Sequence, residues 1–266
     1  MIPLRLLVLD IETAPSTVLT WSLFDQRRIP DEMMREPGYT LCVSVKWLGG
    51  EYGGVIFRTI RKRADGPVDK AALRWIHKLI SEADGIITYN GDSFDLPTLN
   101  REFVEAGMTP ANPTASIDLY KVVKRKFRFA SNKMGYVAKR LRIANKAPSP
   151  GMACWIGCMA GDAKAWAKMR RYNVIDVDVT AAIYKRCLPW IDSHPNAALQ
   201  WKGRGDPLME DRPICRNCGS NRVRSTGHFR RTGTALYRAY KCYACGKPVQ
   251  GRKNCMDKDA MKKVGR

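Results

Sequence analysis

The chain has 266 residues, with 46 Lys+Arg against 25 Asp+Glu and a formal net charge of +21. An apolar content of 45% fits a globular protein and excludes a wholly disordered basic tail, and the length accommodates one ordinary core plus a small second module. No run approaches the roughly 18 apolar residues of a membrane span, and residues 4–9 are too short and too close to charges to form a signal-peptide core. The expectation is a soluble, cytoplasmic protein with no membrane partner; a virus-encoded protein acting in its host cell stays open.

Residues 4–10 form a continuous apolar run ending in Asp10, as in a strand buried on both faces. Residues 40–47 and 53–60 are rich in Val, Ile, Phe and Thr, and the glycines between them predict an antiparallel hairpin. Helical spacing follows over 68–82, then a strand over 84–89. Residues 94–106 read as a helix with Ser93 as N-cap and Pro97 in the first turn. A short extended piece at 115–118 precedes helices at 119–127 and 132–142, and the longest helix covers 162–187. Stretches 144–160 and 193–212, rich in Pro, Gly and small polar residues, read as irregular, the second as a linker. The order predicts an α/β layer with a mixed sheet. We divide the chain into a main domain over 1–195, a linker over 196–211, a cysteine-bearing module over 212–255 and a basic tail over 256–266.

The charge is uneven: residues 1–195 carry 29 basic and 20 acidic side chains, residues 196–266 carry 17 and 5. That balance points to a polyanionic partner, most simply nucleic acid. Nine cysteines is an odd number, and without a secretory signal a disulfide scaffold is not expected.

Three motifs carry candidate chemistry. Asp10 and Glu12 sit at i and i+2 of a strand end, so both carboxylates share a face. Two such acids are costly together unless a cation lies between them, and oxygen-only ligation suits Mg²⁺ or Mn²⁺. Asn90, Phe94 and Asp95 stand where a strand passes into a helix, with Asp95 in the first helical turn. Tyr172 and Asp176 are four apart in the long helix and share a face.

In this order the motifs resemble the DEDD (DnaQ-like) 3′→5′ exonucleases, which have an RNase H-like fold, and in particular the exonuclease domain of family B DNA polymerases. The resemblance covers about residues 1–190. It implies that Asp10, Glu12, Asp95 and Asp176 bind two catalytic ions, Mg²⁺ or Mn²⁺. Asp10, Glu12 and Asp176 would surround the ion that activates water. Asp10 would reach the second ion as well, supported by Asp95. One branch of the family has His five positions before the last acid, where this chain has Arg171; the other has Tyr four positions before it, matched by Tyr172. The resemblance therefore implies the tyrosine branch, with Tyr172 orienting the water. Two metals about 3.5–4 Å apart serve both the attacking and the leaving oxygen of a phosphodiester, whereas a phenol with an ordinary pKa near 10 is a poor base at neutral pH. Thr13, Asn90 and Phe94 flank the acids as candidate contacts to a terminal nucleotide, with core packing the other reading of Phe94. Asp92 and Asp178 read as structural or solvated.

Cys215-x-x-Cys218-Gly and Cys242-x-x-Cys245-Gly, 23 residues apart, have the spacing of two zinc knuckles and predict one structural Zn²⁺ in a closed four-cysteine site. The module looks like a zinc ribbon. Between the pairs, Arg230, Arg231, Tyr237 and Arg238 interleave cations with aromatics, which suits single-stranded nucleic acid; docking to a replication or repair protein is the alternative. A basic run over 121–128 could track phosphates or be a solvated helix face. The sequence thus predicts a metal-dependent 3′→5′ exonuclease on single-stranded nucleic acid, DNA favoured over RNA. A structure-specific endonuclease and a non-catalytic binding protein are the rivals.

Overall fold

The computed structural model describes residues 4–22, 29–48, 53–112, 114–143, 148–200 and 213–257. In chain order the first elements are β1 (Leu6–Thr13), β2 (Thr17–Val18), β3 (Met34–Glu36), β4 (Thr40–Leu48) and β5 (Ile56–Thr59). Then come α1 (Lys70–Glu82), β6 (Gly85–Thr88), α2 (Asp95–Glu105), β7 (Ala115–Asp118), α3 (Leu119–Lys126) and α4 (Met134–Arg140). Helices α5 (Met152–Met159) and α6 (Ala163–Cys187) complete the series.

Five strands form one mixed sheet in the order β5-β4-β1-β6-β7. β1 lies at its centre, antiparallel to β4 and parallel to β6. Its buried run Leu6–Leu9 needs that position, because only a central strand is covered on both faces. The hairpin expected from 40–60 is present as antiparallel β4 and β5; its glycine pair 49–50 lies outside the described residues. On one face Leu7, Leu9 and Ile11 pack with Leu73, Ile76 and Ile80 of α1 and Leu99 and Phe103 of α2. Asp69 caps α1, its side chain accepting from the Ala71 and Ala72 N–H groups. A second cluster joins Leu41 and Cys42 of β4 to Cys154 and Cys158 of α5 and to Ala165 and Met169 of α6.

Two local expectations fail. Ser93 does not cap α2: the helix starts at Asp95, Phe94 occupies the cap position, and no side chain caps it. Instead the Gly91 carbonyl accepts from the Phe94 and Leu96 N–H groups. The stretch 144–160 is not irregular throughout, since it contains α5. Gly157 allows that helix to press on α6, because a Cβ there would lie 2.6 Å from the Ala165 Cβ. β2 and β3, paired antiparallel, were not anticipated either.

The chain divides into two compact units, Arg5–Tyr184 and Lys185–Arg266 with Met1–Leu4. The second holds a three-stranded antiparallel sheet of β8 (Val223–Arg231), β9 (Leu236–Cys242) and β10 (Pro248–Asn254), in the order β10-β9-β8. Its small core consists of Cys215, Val223 and Cys242 with Cys218, Tyr240, Cys245 and Val249 packed against it.

Candidate active site

The carboxyl end of β1 supplies the first two acids. Asp10 pairs across the sheet with Ser44 and Glu12 with Cys42, and the register slips between Glu12 and Thr13. Such a bulge re-aims side chains at a strand end, and Thr13 follows it opposite Thr40. Helix α6 supplies the third acid. One carboxylate oxygen each from Asp10, Glu12 and Asp176 lies within 4.8 Å of the others. Asp176 is 3% exposed, while Asp10 and Glu12 are half-buried. Three like charges this close repel strongly in a partly buried setting, so the arrangement favours a cation among them.

Asp95 stands beside this trio, not among its mutually close oxygens. It is 4% exposed, and its Oδ1 accepts the Ile11 N–H at 3.0 Å. That bond ties the start of α2 to the residue between Asp10 and Glu12. Burial pushes the Asp95 carboxyl up to about 7 against the opposing effect of two backbone N–H groups, and the Asp118 charge adds to the rise.

A second buried acid shapes the loop that leads to Asp95. Asp118, at the end of β7, accepts the N–H groups of Asn90 at 2.9 Å, Asp92 at 3.4 Å and Tyr120 at 2.9 Å. Asn90 has φ 71°, a left-handed conformation that Asn tolerates better than most residues. Gly91 is held against β6: a Cβ there would lie 2.4 Å from the Thr88 side chain. The loop therefore turns tightly and delivers Phe94 outward, 44% exposed, which removes the core-packing reading of that ring.

Tyr172 is half-buried and meets Trp155 of α5 edge-to-face, with centroids 6.3 Å apart. One residue on, Asn173 is fully buried and its Nδ2 donates to Asp10 Oδ2 at 2.6 Å. Neither Trp155 nor the role of Asn173 emerged from the sequence. Asn173 carried a signal, since positions i and i+3 also share a helix face; Trp155 lay in a stretch read as irregular. Asp92 and Asp178 take structural parts: Asp92 accepts from Lys121 Nζ at 2.7 Å and from the Ser116 hydroxyl, and Asp178 pairs with Lys46 at 2.7 Å. Lys121 is thereby drawn from the basic run of 121–128, whose Lys124, Arg125, Lys126 and Arg128 are exposed.

In the second unit the four cysteine sulfurs lie within 4.8 Å of one another, with Cys215–Cys245 and Cys218–Cys242 at 3.6 Å. Hydrogen bonds from Cys218 and Cys245 hold the Cys215 thiol well below its ordinary range. His228, midway between the pairs, is not part of this group. Arg230, Arg231 and Arg238 are exposed and Tyr237 is half-buried. Register splits them: Arg230 opposes Tyr237, while Arg231 opposes Leu236 and Arg238 opposes Phe229. Strand alternation therefore puts Arg230 and Tyr237 on one face and Arg231, Arg238 and Phe229 on the other.

A five-stranded mixed sheet flanked by helices, with acids gathered at the carboxyl end of its central strand, defines an RNase H-like α/β protein. The chain belongs to the RNase H superfamily, whose family model matches residues 32–188. Among solved structures, the family B DNA polymerase from the hyperthermophilic archaeon Pyrobaculum calidifontis is similar over 70% of this chain, with a TM-score of 0.51 and 20% identity. The match covers 25% of the polymerase chain, and at this identity it shows a shared fold. A comparison with curated proteins gives no match. No helix among the described residues is long and apolar enough to cross a membrane.

Proposed function

We propose that the protein is a metal-dependent 3′→5′ exonuclease of the DEDD tyrosine branch, acting on single-stranded nucleic acid, DNA before RNA. The observation that carries this reading is the convergence of Asp10, Glu12 and Asp176 within 4.8 Å, with Asp95 bonded to the strand between the first two. An anionic phosphodiester would be repelled from such a site unless cations neutralised it. The donor set is all oxygen, which fits Mg²⁺ or Mn²⁺. Asp10, Glu12 and Asp176 would hold one ion, and Asp10 with Asp95 a second. When bound, the ions supply a nucleophilic water at neutral pH and charge stabilisation on the phosphate oxygens.

The chain's own residues do the rest. Asn173 fixes the Asp10 carboxylate through its short Nδ2 bond. Tyr172, steadied by Trp155, presents its hydroxyl to the attacking water. Exposed Phe94 offers a ring to the terminal base, and Asn90 and Thr13 flank the scissile end. An open groove of about 710 Å³ beside Asn90, lined by Tyr89, Tyr120 and Tyr136, would take the next bases of a single strand by stacking.

We assign the nuclease to residues 1–195, a linker to 196–211, a zinc ribbon to 212–255 and a basic tail to 256–266. A regular tetrahedron with Zn–S near 2.3 Å has S–S edges of about 3.8 Å, close to the 3.6 Å separations of the two cysteine pairs. Zn²⁺ there would be structural, and the exposed arginines of β8 and β9 would grip the strand.

The test uses a 5′-labelled single-stranded DNA oligonucleotide beside a matched RNA, in Mg²⁺, Mn²⁺ or EDTA, with Asp10→Ala as control. The expected result is a metal-dependent ladder shortening from the 3′ end, faster on DNA and absent in the variant. Equal activity in Asp10→Ala sinks the site, and cleavage of a circular single strand sinks the exonuclease mode.

A further inference from the structure

A cavity of about 420 Å³ opens among the Arg35–Tyr39 segment, the turn after β5, the start of α1 and the later turns of α2. None of the residues assigned to hydrolysis lines it. Its distinguishing property is unspent hydrogen bonding. Tyr39 is 7% exposed, and among the described residues its hydroxyl has no hydrogen-bond partner; the same holds for the buried Nε atoms of Arg61 and Arg101. Buried donors without acceptors are rare, and each calls for an explanation such as a missing ligand.

The wall is rigid. The Arg61 guanidinium lies 4.4 Å over the Tyr39 ring. Arg101 Nη2 donates to the Gly38 carbonyl at 2.7 Å, the Gly38 N–H donates to Ser16 Oγ at 2.9 Å, and the Tyr39 carbonyl accepts the Ala14 N–H at 2.8 Å. A Cβ at position 38 would lie 2.7 Å from the Ala14 oxygen, so only glycine fits that approach. Burial raises the Tyr39 phenol above its ordinary pKa despite the nearby Arg61 charge, which keeps the hydroxyl a donor.

The Tyr39 hydroxyl and Arg61 Nε want an acceptor; Arg101 already faces Glu102 at 3.4 Å and Glu105 at 3.8 Å and would have to share its charge, and Arg35 and Lys70 add two cations to the same cavity. The acids are unequal. Glu102 is committed to the Thr40 N–H at 2.7 Å, and Glu105 lies 3.8 Å from Arg101 Nε. Glu36 adds an acceptor suited to an exocyclic amino group, as Glu accepts from the cytosine amine. The volume is within the usual range for small-molecule sites.

We propose that this cavity binds a nucleoside monophosphate unit, its phosphate on Tyr39, Arg61 and Arg101 and an amino-bearing base toward Glu36. The unit is either a free nucleotide or the 5′-phosphorylated end of a strand. The inference stands whether or not the carboxylate site cleaves; under the exonuclease reading the free nucleotide is the product's chemical class.

The test is calorimetric titration of full-length Asp10→Ala protein with deoxycytidine monophosphate in buffer without added Mg²⁺ or Mn²⁺, so that neither hydrolysis nor catalytic metal contributes and the four-cysteine site keeps its ion. Saturable binding is expected, weaker for inorganic phosphate and lost for deoxycytidine. Tyr39→Phe, which removes one hydroxyl and keeps the ring, should weaken binding about tenfold, as loss of a hydrogen bond to a charged group does. Arg61→Gln should weaken it at least as much. Competition by a 5′-phosphorylated oligonucleotide, absent for the unphosphorylated one, identifies the strand end as the source; no competition by either identifies the free nucleotide. No saturable binding at millimolar nucleotide overturns the proposal, as does binding that Tyr39→Phe and Arg61→Gln both leave unchanged.

Discussion

Replacing Asn173 with Leu isolates a side chain that holds Asp10. Its Nδ2 donates to Asp10 Oδ2 at 2.6 Å from a fully buried position, a short, charge-assisted bond. Such a bond contributes about 1.5–3 kcal/mol, or about 10- to 100-fold in an equilibrium, and partners behind metal ligands typically carry an effect of that size on metal affinity. Leu has the same branching and number of side-chain heavy atoms as Asn but bulkier methyl groups, and the substitution also deletes the Asn173 Oδ1, which among the described residues is buried without a hydrogen-bond partner. The lost donor and the removed orphan acceptor oppose each other in folding stability. Overpacking by the larger side chain at this buried position adds about 1–3 kcal/mol, so the melting temperature should fall by about 2–12 °C at this chain length with the fold retained. The assay is hydrolysis of a single-stranded oligonucleotide against Mn²⁺ concentration. The half-maximal concentration should rise at least tenfold, with much of the rate recovered at saturating metal. An unchanged metal dependence in a normally folded variant would refute the role given to Asn173 and weaken the assignment of Asp10.

Three further outcomes are expected. The Asp95 carboxyl, raised by burial from 3.8 to about 7, stabilises the protein without catalytic metal fully below pH 3.8, and that contribution is lost as pH rises through 7; urea unfolding without added Mg²⁺ or Mn²⁺ should show this fall in the wild type and not in Asp95→Asn, and parallel pH profiles would contradict it. Trp155→Ala removes the ring against Tyr172; edge-to-face pairs contribute about 0.5–1.5 kcal/mol, so the maximal rate should drop about two- to tenfold, with the metal dependence unchanged. Cys242→Ser, or a strong zinc chelator, should unfold the three-stranded unit and weaken binding of long strands while sparing cleavage of short oligonucleotides, as read by binding isotherms and product ladders; loss of both activities would show that the units are not independent.

The framework and the acid trio were legible because each rests on a short-range rule. A strand's period of two puts Asp10 and Glu12 on one face, and a helix's turn aligns Tyr172 with Asp176. The failures share a cause as well. Helix α5 is apolar nearly all round and is bordered by Pro148, Pro150, Gly151 and Gly161, so its spacing resembled a loop; with it went Trp155. Ser93 looked like a cap because Ser favours that position, yet the Gly91 carbonyl organises the turn and Asp118 fixes it from another strand. Contacts between elements, such as Asn173 to Asp10 or Asp95 to Ile11, follow from the register of packing and leave no local trace.

The Asn173 bond to Asp10 joins residues 163 positions apart, and the acid trio spans slightly more of the chain, from Asp10 to Asp176. On the ribosome β1 is made before α6, which follows all five strands of the sheet. A growing chain therefore carries Asp10 and Glu12 through most of its synthesis without the acid that completes their cluster. Under the exonuclease reading, synthesis order becomes a safety catch: a chain in which α6 is not yet made or has failed to dock lacks Asp176 beside Asp10 and Glu12 and so holds no assembled acid trio.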